Sequence, residues 1–350
     1  YSGGASCPSL LLEPSRTNLA TQSEYFADSS YVLNGATIAT NSATSPEGYI
    51  NADNLIENNV ATQHRFIKST SLGGSVDSSA YVISVFVKNL GRNVQLNDSN
   101  QSVNGMTAFN LQTKSVISGT GKIEDYGNGW LRLSIYPLKD TSTTSNLFFN
   151  MINEAGATFY TGDGVSGVSL YGFQLESNAS YETSYIPTYG VSQTRAQDDC
   201  RESSATSLIG QPEGTIYWEG SIVSVSSQGA NIASFNYSTG SSVSLERQPN
   251  GTIRGRIWSG GAVVNIVTSS SSYDGNVKIA FAYKSGDTTL YINGVQIGTS
   301  STAFAFGSAL TEFNLGAGDV YFAYPHKSEV KEALLFKTRL SNADCETLTT

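Results

Sequence analysis

The chain has 350 residues, a formal net charge of −9 and a charged fraction of only 14%. This acidity argues against a nucleic-acid partner and against docking on an anionic membrane, because both select clustered Lys and Arg. Membrane insertion is not expected either, since the longest apolar run, Tyr81–Val87, is strand-sized. The length is sufficient for two domains of ordinary size, each with its own core.

Gly, Ser, Thr, Asn and Tyr are abundant, which is typical of an all-β protein with many turns. The first residues, YSGGASCPSL, contain neither an initiator Met nor a signal peptide, so we expect a fragment or a processed product. Three cysteines are too few for a disulfide scaffold. A bridge between Cys7 and Cys200 stays open, and Cys345 is expected to be buried and unreactive.

The first half of the chain contains strand patterns. Tyr81–Lys88 carries apolar side chains on both faces, as expected for a strand that is covered on both sides. Gly127-Asn128-Gly129 predicts a turn that leads into Trp130–Tyr136, where apolar residues alternate with polar ones. Leu147–Ile152 and Val168–Leu175 predict two further strands.

The second half begins after a polar segment. A domain boundary is expected between about Asp198 and Gly210, before a strand at Thr215–Ile222. Farther on, Asn293-Gly294 predicts the tight turn of a β-hairpin, because these residues adopt positive φ most readily. The end of the chain predicts a strand at Ala333–Phe336 and a short helix capped by Ser341.

Two resemblances follow from these segments. The hairpin YINGVQIG with the tail EALLFKTRLSNADCETL resembles the C-terminal half of a concanavalin A-like (laminin G-like) sandwich, a fold that mostly binds glycans or proteins. In the first half, four segments together resemble a jelly-roll module of bacteriophage tail-fibre and virion surface proteins, which is similar in architecture to carbohydrate-binding modules. The four segments are CPSLLLEPSRTNLATQSEYF, NGWLRLSIY, TGDGVSGVSLYGFQLE and TSYIPTYGVSQTRAQD.

The fold expected from the residues and these resemblances is all-β, with two β-sandwich domains. A carbohydrate-binding-module-like jelly roll is expected over residues 1–200, followed by a concanavalin A-like sandwich over residues 205–350. The resemblance also implies a homotrimer, because phage fibres of this kind are usually trimers.

The residues offer little catalytic chemistry. The chain has two histidines and contains no zinc, P-loop, dinucleotide or nucleophile-elbow motif. No acidic pair can be selected for glycoside hydrolysis. Asp163 in a Gly-rich turn could ligate Ca²⁺, and because related sandwich modules often hold a structural calcium, Glu13 and Glu176 are further candidate ligands. The competing interpretation of this segment is an ordinary glycine turn.

Aromatic residues, 11% of the chain, are the remaining signal. Flat rings stack on sugar faces, whereas aromatics inside strands usually belong to the core. The strand aromatics expected in the core are Phe86, Trp130, Phe148, Phe173, Trp218, Phe281 and Phe336. The candidate glycan-binding residues of the second domain are Trp258, Tyr273, Tyr321, Tyr324 and His326, and those of the first are Tyr25, Tyr31, Tyr49 and Tyr189.

The leading hypothesis is therefore a non-enzymatic, phage-type virion surface or tail-fibre segment that binds host surface polysaccharide. It would lie outside the cell, on the virion surface, beside other virion proteins. The second hypothesis is a purely structural virion protein whose loop aromatics pack between subunits. The third is a polysaccharide-degrading enzyme or its accessory module.

Overall fold

The computed structural model describes residues 9–72, 80–99, 104–140, 142–222, 229–236, 240–316 and 327–350. The chain forms two compact units. The N-terminal unit is Arg16–Arg195, and the C-terminal unit is Ala196–Thr350 together with the N-terminal segment up to Ser15. Both units are antiparallel β-sandwiches, so the predicted all-β fold class is confirmed. None of the described helices is long and apolar enough to cross a membrane.

The first strand of the chain, β1 (Leu10–Leu12), belongs to the C-terminal unit. The strands of the N-terminal unit follow it: β2 (Arg16–Asn18), β3 (Tyr31–Asn34), β4 (Ala36–Thr44), β5 (Ile50–Glu57), β6 (Ala61–Gln63), β7 (Arg65–Ser71), β8 (Val82–Leu90), β9 (Asn93–Asp98), β10 (Met106–Asn110), β11 (Ser115–Ser118), β12 (Gly121–Gly127), β13 (Trp130–Ile135), β14 (Thr144–Ile152), β15 (Phe159–Thr161), β16 (Gly167–Glu176) and β17 (Gln193–Arg195).

Two six-stranded sheets form the N-terminal sandwich, in the orders β11-β10-β9-β14-β7-β3 and β12-β13-β8-β16-β5-β4. Their facing sides bury a core that includes Phe66 and Phe149 from the first sheet and Val85, Leu133 and Phe173 from the second. Alternate residues of each strand point to the core, as the two-residue period of a strand requires. The predicted strands at 81–88, 130–136, 147–152 and 168–175 are β8, β13, β14 and β16.

The remaining strands build the C-terminal unit: β18 (Cys200–Glu202), β19 (Glu213–Ile222), β20 (Ala230–Phe235), β21 (Ser242–Arg247), β22 (Thr252–Ser259), β23 (Ala262–Ser272), β24 (Gly275–Lys284), β25 (Thr288–Ile292), β26 (Val295–Ser300), β27 (Phe313–Leu315) and β28 (Ser328–Phe336). A single 3₁₀ turn (Ala205–Ser207) and helix α1 (Asn342–Thr349) complete the described part of this unit. Its sheets have the orders β1-β28-β19-β24-β25-β26 and β18-β27-β20-β21-β22-β23.

The C-terminal core lies between these sheets and contains Trp218, Phe235, Leu245, Ile257 and Phe281, all fully buried. The local predictions for this unit are confirmed. The β25–β26 hairpin turns at Asn293 and Gly294, which have φ values of 48° and 76°. Helix α1 begins with a capping box, in which Ser341 and Asp344 exchange hydrogen bonds with each other's backbone N–H.

The boundaries of the two units differ from the predicted ranges of 1–200 and 205–350. Strand β1 pairs with β28, with Leu10 opposite Val330 and Leu12 opposite Ser328. Strand β18 pairs with β27. Both ends of the predicted first domain, as far as the structure describes them, therefore belong to the C-terminal sandwich. Pairing between strands this far apart in the chain leaves no local sequence pattern.

The cysteine predictions have different outcomes. Cys345 is fully buried against Leu340, as expected, and burial raises the pKa of its thiol to about 11. Cys200 carries a free thiol that is partly exposed. Cys7, the other half of the bridge left open by the sequence, lies outside the described residues.

The strand aromatics divide into three groups. Phe173, Trp218 and Phe281 lie in the cores, as predicted. Phe148 and Phe336 are only partly buried. Phe86 and Trp130 are buried, but in a separate cluster outside the core between the sheets. Of the candidate glycan-binding aromatics in the N-terminal unit, Tyr25, Tyr49 and Tyr189 are exposed. Tyr31 is instead a core residue, contrary to prediction.

Candidate functional site

Strand β22 presents a polar and aromatic face on the outside of the C-terminal sandwich. Its sequence TIRGRIWS places Ile253, Gly255 and Ile257 towards the core, and the glycine is required because an added Cβ would lie 2.3 Å from the ring of Phe281. The intervening residues Arg254, Arg256 and Trp258 therefore share the opposite face. We call this surface, together with Ser244 and Glu246 on the neighbouring strand β21, the Trp258 face.

Glu246 organises the Trp258 face. Its side chain is fully buried, and Oε2 lies 2.6 Å from both Nε and Nη2 of Arg254. Oε1 lies 2.6 Å from Nη2 of Arg256 and accepts a 2.7 Å hydrogen bond from the hydroxyl of Ser244. The strand register places Glu246 directly opposite Arg254 and Ser244 opposite Arg256. One carboxylate thus fixes two guanidinium groups on alternate positions of β22.

Trp258 extends this arrangement with an aromatic surface. The guanidinium carbon of Arg256 lies 5.3 Å from the centroid of the Trp258 ring, which is within cation–π range. The indole is partly exposed, and 19% of the Arg254 side chain is exposed. A flat ring beside fixed hydrogen-bond donors is the combination that sugar rings require, since it offers a stacking surface and partners for hydroxyl or carboxylate oxygens.

A cleft borders the end of β22. The hydroxyl of Ser259, the residue after Trp258, donates a hydrogen bond to the carbonyl oxygen of Ala305. Ala305 is part of the segment that lines the cleft, which has a volume of about 410 Å³. The rings of Phe304 and Phe306 lie 5.3 Å apart beside it. The side-chain amide of Gln211 is already bonded to the backbone of Leu310, so the cleft offers mainly apolar contact.

The structure does not bring the predicted glycan-binding residues of the C-terminal unit together. Thr252 and Ser272 are paired at the far end of the β22–β23 ladder, and Tyr273 follows that pair. Trp258 is six residues along β22 from Thr252, which corresponds to about 20 Å. The ring of Tyr273 also packs against the core. Tyr273 is therefore not part of the Trp258 face, which corrects the prediction.

Three further predicted residues, Tyr321, Tyr324 and His326, lie outside the described residues. By contrast, Arg254, Arg256 and Glu246 were not selected from the sequence as candidate binding residues. The signal was present in the alternation of β22, because residues at positions i, i+2 and i+4 of a strand share one face. Once Trp258 is placed on the outside, the two arginines must be there as well.

The proposed calcium ligand Asp163 is engaged by protein groups. Its Oδ1 accepts the backbone N–H groups of Val165 and Ser166 at 2.8 and 2.7 Å. Its Oδ2 accepts the Ser166 hydroxyl at 2.6 Å and lies 3.1 Å from Nη2 of Arg92. The Ser166 hydrogen bonds hold the pKa of Asp163 well below its usual range. This is the glycine turn that the sequence left as the alternative.

Of the other two candidate ligands, Glu176 does not join Asp163, and Glu13 belongs to the other unit. Strand β16 runs from Gly167 to Glu176, so about 30 Å of chain separates the two ends of this ten-residue strand. Glu176 accepts both the hydroxyl and the N–H of Thr183. Glu13, in the C-terminal unit, pairs with Lys327 at 3.5 Å. Among the described residues, no group of three or more His, Cys, Asp or Glu side chains could hold a metal ion.

Comparison with protein families identifies the class of the C-terminal unit. Residues 212–344 match the family model described as the concanavalin A-like lectin/glucanases superfamily. The C-terminal unit is thus a concanavalin A-like (laminin G-like) domain, as the sequence resemblance implied. No curated protein matches the chain in sequence.

Solved structures of similar fold are distant in sequence. The carbohydrate-binding module CBM40 of the Ruminococcus gnavus IT-sialidase is 16% identical, over 42% of this chain and 87% of that one, with a TM-score of 0.36. The SAP-like pentraxin of Limulus polyphemus is 12% identical, over 41% and 72%, with a TM-score of 0.34. Domain 4 of the arabinanase AbnA of Geobacillus stearothermophilus is 16% identical, over 46% and 73%, with a TM-score of 0.35. Similarity at this level does not indicate a ligand.

Proposed function

We propose that the chain is a non-enzymatic glycan-binding protein, and that its concanavalin A-like domain binds a surface polysaccharide through the Trp258 face. The observation that carries this proposal is the arrangement of Arg254, Arg256 and Trp258 around Glu246. It places a stacking ring and two donors on β22 and fixes the donors through Glu246 of the neighbouring strand β21, as a preorganised site requires. The family match to lectins and glucanases supports a carbohydrate ligand.

A binding role suits this face better than catalysis. Both oxygens of Glu246 are occupied by arginine and serine donors, so its carboxylate orients neighbours and is not available to abstract or donate a proton. Glycoside hydrolysis uses two carboxyl groups that face each other across the substrate. Glu246 is the single carboxylate among the residues that define the Trp258 face.

Removing the ring or the donor of this face should weaken glycan binding while the fold stays intact. We expect Trp258→Ala and Arg254→Gln each to lower affinity at least about tenfold, because buried Trp and Arg anchors dominate binding energies. Lys331→Gln, which removes a positive charge from the other sheet of the same domain, is the matched control. Unchanged affinity in both face variants would contradict this site.

The ligand itself is found with a glycan array of bacterial surface, marine and gut polysaccharides, run with and without calcium. A reproducible hit that leaves the glycan uncut supports the proposed function. Release of shortened glycan would instead assign an enzyme. If folded protein binds no glycan on the array, the result would favour the alternative, a structural protein whose loop aromatics pack between subunits.

The wider setting of the proposal is a phage-type virion surface or tail fibre, where the chain recognises a host glycan. This part rests on the sequence resemblance of the first half. A homotrimer would turn weak single sites into avid binding, because linked sites rebind at high effective concentration. We expect light scattering of the purified protein to give three times the chain mass of 37.2 kDa. A monomer at micromolar concentration would contradict the trimer.

A further inference from the structure

The N-terminal unit buries an arginine that forms no ion pair with the residues that the structure describes. Arg132 on β13 is 2% exposed and points away from the core, since its neighbours Leu131 and Leu133 are core residues. Its Nη2 donates to the hydroxyl of Ser84 at 3.0 Å, and its Nε has no hydrogen-bond partner. Glu124, opposite on β12, is paired with Lys122. No carboxylate of the described residues forms an ion pair with Arg132.

A buried charge without a partner destabilises the folded protein, because the lost hydration is not replaced. Partial compensation comes from Phe86, whose ring centroid lies 5.4 Å from the Arg132 guanidinium carbon. An apolar side chain of similar length would fill the same space without this cost. The arginine is therefore more readily explained by a ligand than by stability.

Arg132 adjoins an aromatic layer outside the core. Phe86, Trp130 and Tyr171 are buried there, and the rings of Tyr126 and Tyr185 lie 4.8 and 6.0 Å from Phe86. A sandwich needs one apolar face per sheet, and this sheet already has one in the core. The second apolar face, with a cation in it, is not required by the fold.

The end of the β4–β5 hairpin covers this layer. Trp130 Nε1 donates to the carbonyl oxygen of Thr44 at 2.9 Å, although three strands separate β13 from β4 in the sheet. In a flat sheet that separation is about 19 Å, so the hairpin end bends over the outward face. Tyr49 and Ile50 at this end are 70% and 71% exposed.

Acceptors lie at the edge of the same layer. The carboxylate of Glu24 accepts hydrogen bonds from the hydroxyls of Tyr171, Tyr185 and Tyr189 at 3.0–3.3 Å. Glu24 is partly exposed, and 70% of Tyr189 is exposed. One edge of the layer thus presents oxygen acceptors and hydroxyls, and the other presents the Arg132 guanidinium.

We propose that this aromatic layer is a second ligand site, for a saccharide that carries an anionic group, with Arg132 as the residue that binds the anion. The planar guanidinium matches carboxylate and sulfate oxygens, the rings match the apolar faces of a sugar, and Glu24 matches its hydroxyls. Binding requires the hairpin end to move away from Trp130. This site is independent of the Trp258 face, because it uses residues of the N-terminal unit alone.

Arg132→Met tests the proposal with two readouts on the whole chain. We expect the melting temperature of the N-terminal unit to rise, because the unpaired charge is replaced by an apolar side chain. We expect affinity for anionic oligosaccharides to fall at least tenfold. The probes are an oligosaccharide of galacturonic acid, a sulfated galactose oligosaccharide and the neutral galactose oligosaccharide, titrated by calorimetry. The first two distinguish carboxylate from sulfate, and the third should bind more weakly than either.

Arg65→Met is the matched control, because Arg65 also stacks on a phenylalanine, 4.5 Å from the Phe148 ring, on the other sheet of this unit. It should leave binding unchanged. Arg132→Lys keeps the charge without the forked geometry and should retain intermediate affinity. Trp258→Ala should not alter the loss caused by Arg132→Met. The proposal is overturned if wild type binds no anionic probe, or if Arg132→Met lowers the melting temperature and leaves affinity unchanged.

Discussion

Replacing Glu57 with alanine is expected to destabilise the N-terminal unit by about 3–5 kcal/mol, the cost of breaking a buried ion pair from one side. Glu57 ends β5 with its side chain fully buried. Its Oε2 accepts hydrogen bonds of 2.7 Å from Arg92 Nε and from the Tyr160 hydroxyl, and its Oε1 accepts Arg92 Nη2 at 2.5 Å and the Asp163 N–H at 2.7 Å. Alanine would remove the acceptor of all four hydrogen bonds, and of these donors Arg92 Nη2 would keep Asp163 Oδ2 at 3.1 Å.

The cation left behind decides the size of this effect. Only 17% of the Arg92 side chain is exposed, so water can replace the carboxylate only in part. The hydrogen bonds to Glu57 raise the pKa of Arg92 above the ordinary arginine value. The substitution removes that contribution, but the guanidinium stays charged because arginine is protonated at neutral pH without it. For a unit of this size, we expect the melting temperature to fall by about 10 °C, measured by calorimetry or urea unfolding.

Asp163→Ala is the control for Glu57→Ala. It removes the exposed carboxylate of the same cluster while keeping the backbone N–H that Glu57 accepts. Its effect should be small. Because the pKa of Asp163 is lowered in the folded state, its contribution is complete above its unfolded pKa of about 3.8 and is lost as the pH falls farther. Equal melting temperatures for the two variants would refute the role given to Glu57.

Local sequence patterns were sufficient for most elements and for the class of fold. The Asn293-Gly294 turn and the Ser341 cap are each specified by neighbouring residues, and both formed as predicted. The strands at 81–88 and 130–136 were equally clear, because their alternation matches the period of a strand. The concanavalin A-like class was expected from the family resemblance of two segments in the C-terminal half, and the family match over residues 212–344 confirms it.

The surface sites were harder to predict, because a buried aromatic was taken to be a core aromatic. In WLRLSIY, Trp130 shares its strand face with Arg132 and Ser134, whereas Leu131 and Leu133 share the core face. The same alternation placed Arg254 and Arg256 beside Trp258. Loop position was a weaker guide, since Tyr31 and Tyr273 pack against cores despite their turn-rich surroundings.

Contacts between distant parts of the chain could not be predicted by any such pattern. Nothing in the local sequence distinguishes the three candidate calcium ligands Asp163, Glu13 and Glu176, which all carry a carboxylate. In the structure, each of them contacts a different protein group. Glycine-turn donors engage Asp163, Lys327 pairs with Glu13, and Thr183 bonds to Glu176. The pairing of β1 with β28 joins residues as far apart in the chain as Leu10 and Val330, and it has a measurable consequence.

Leu12→Asp is expected to unfold the C-terminal sandwich selectively, although Leu12 lies at the other end of the chain. Leu12 is 4% exposed and belongs to the C-terminal core, where its β1 backbone pairs with β28. A carboxylate at this position would lose its hydration without gaining a partner, which costs at least about 4 kcal/mol. Hydrogen exchange read by mass spectrometry should show faster exchange in β28 and β19, with β8 and β16 unchanged.

Leu11→Asp is the matched control, because Leu11 is 36% exposed and its side chain points to the opposite face of β1. It should leave both units unchanged. Faster exchange in β8 and β16 of Leu12→Asp would mean that the N-terminal strand stabilises the other unit.

If Leu12 acts as the structure indicates, a chain that begins at Ala196 lacks one edge strand of its sandwich. The exposed β28 edge would then be open to pairing with another chain, so such a fragment should associate in solution.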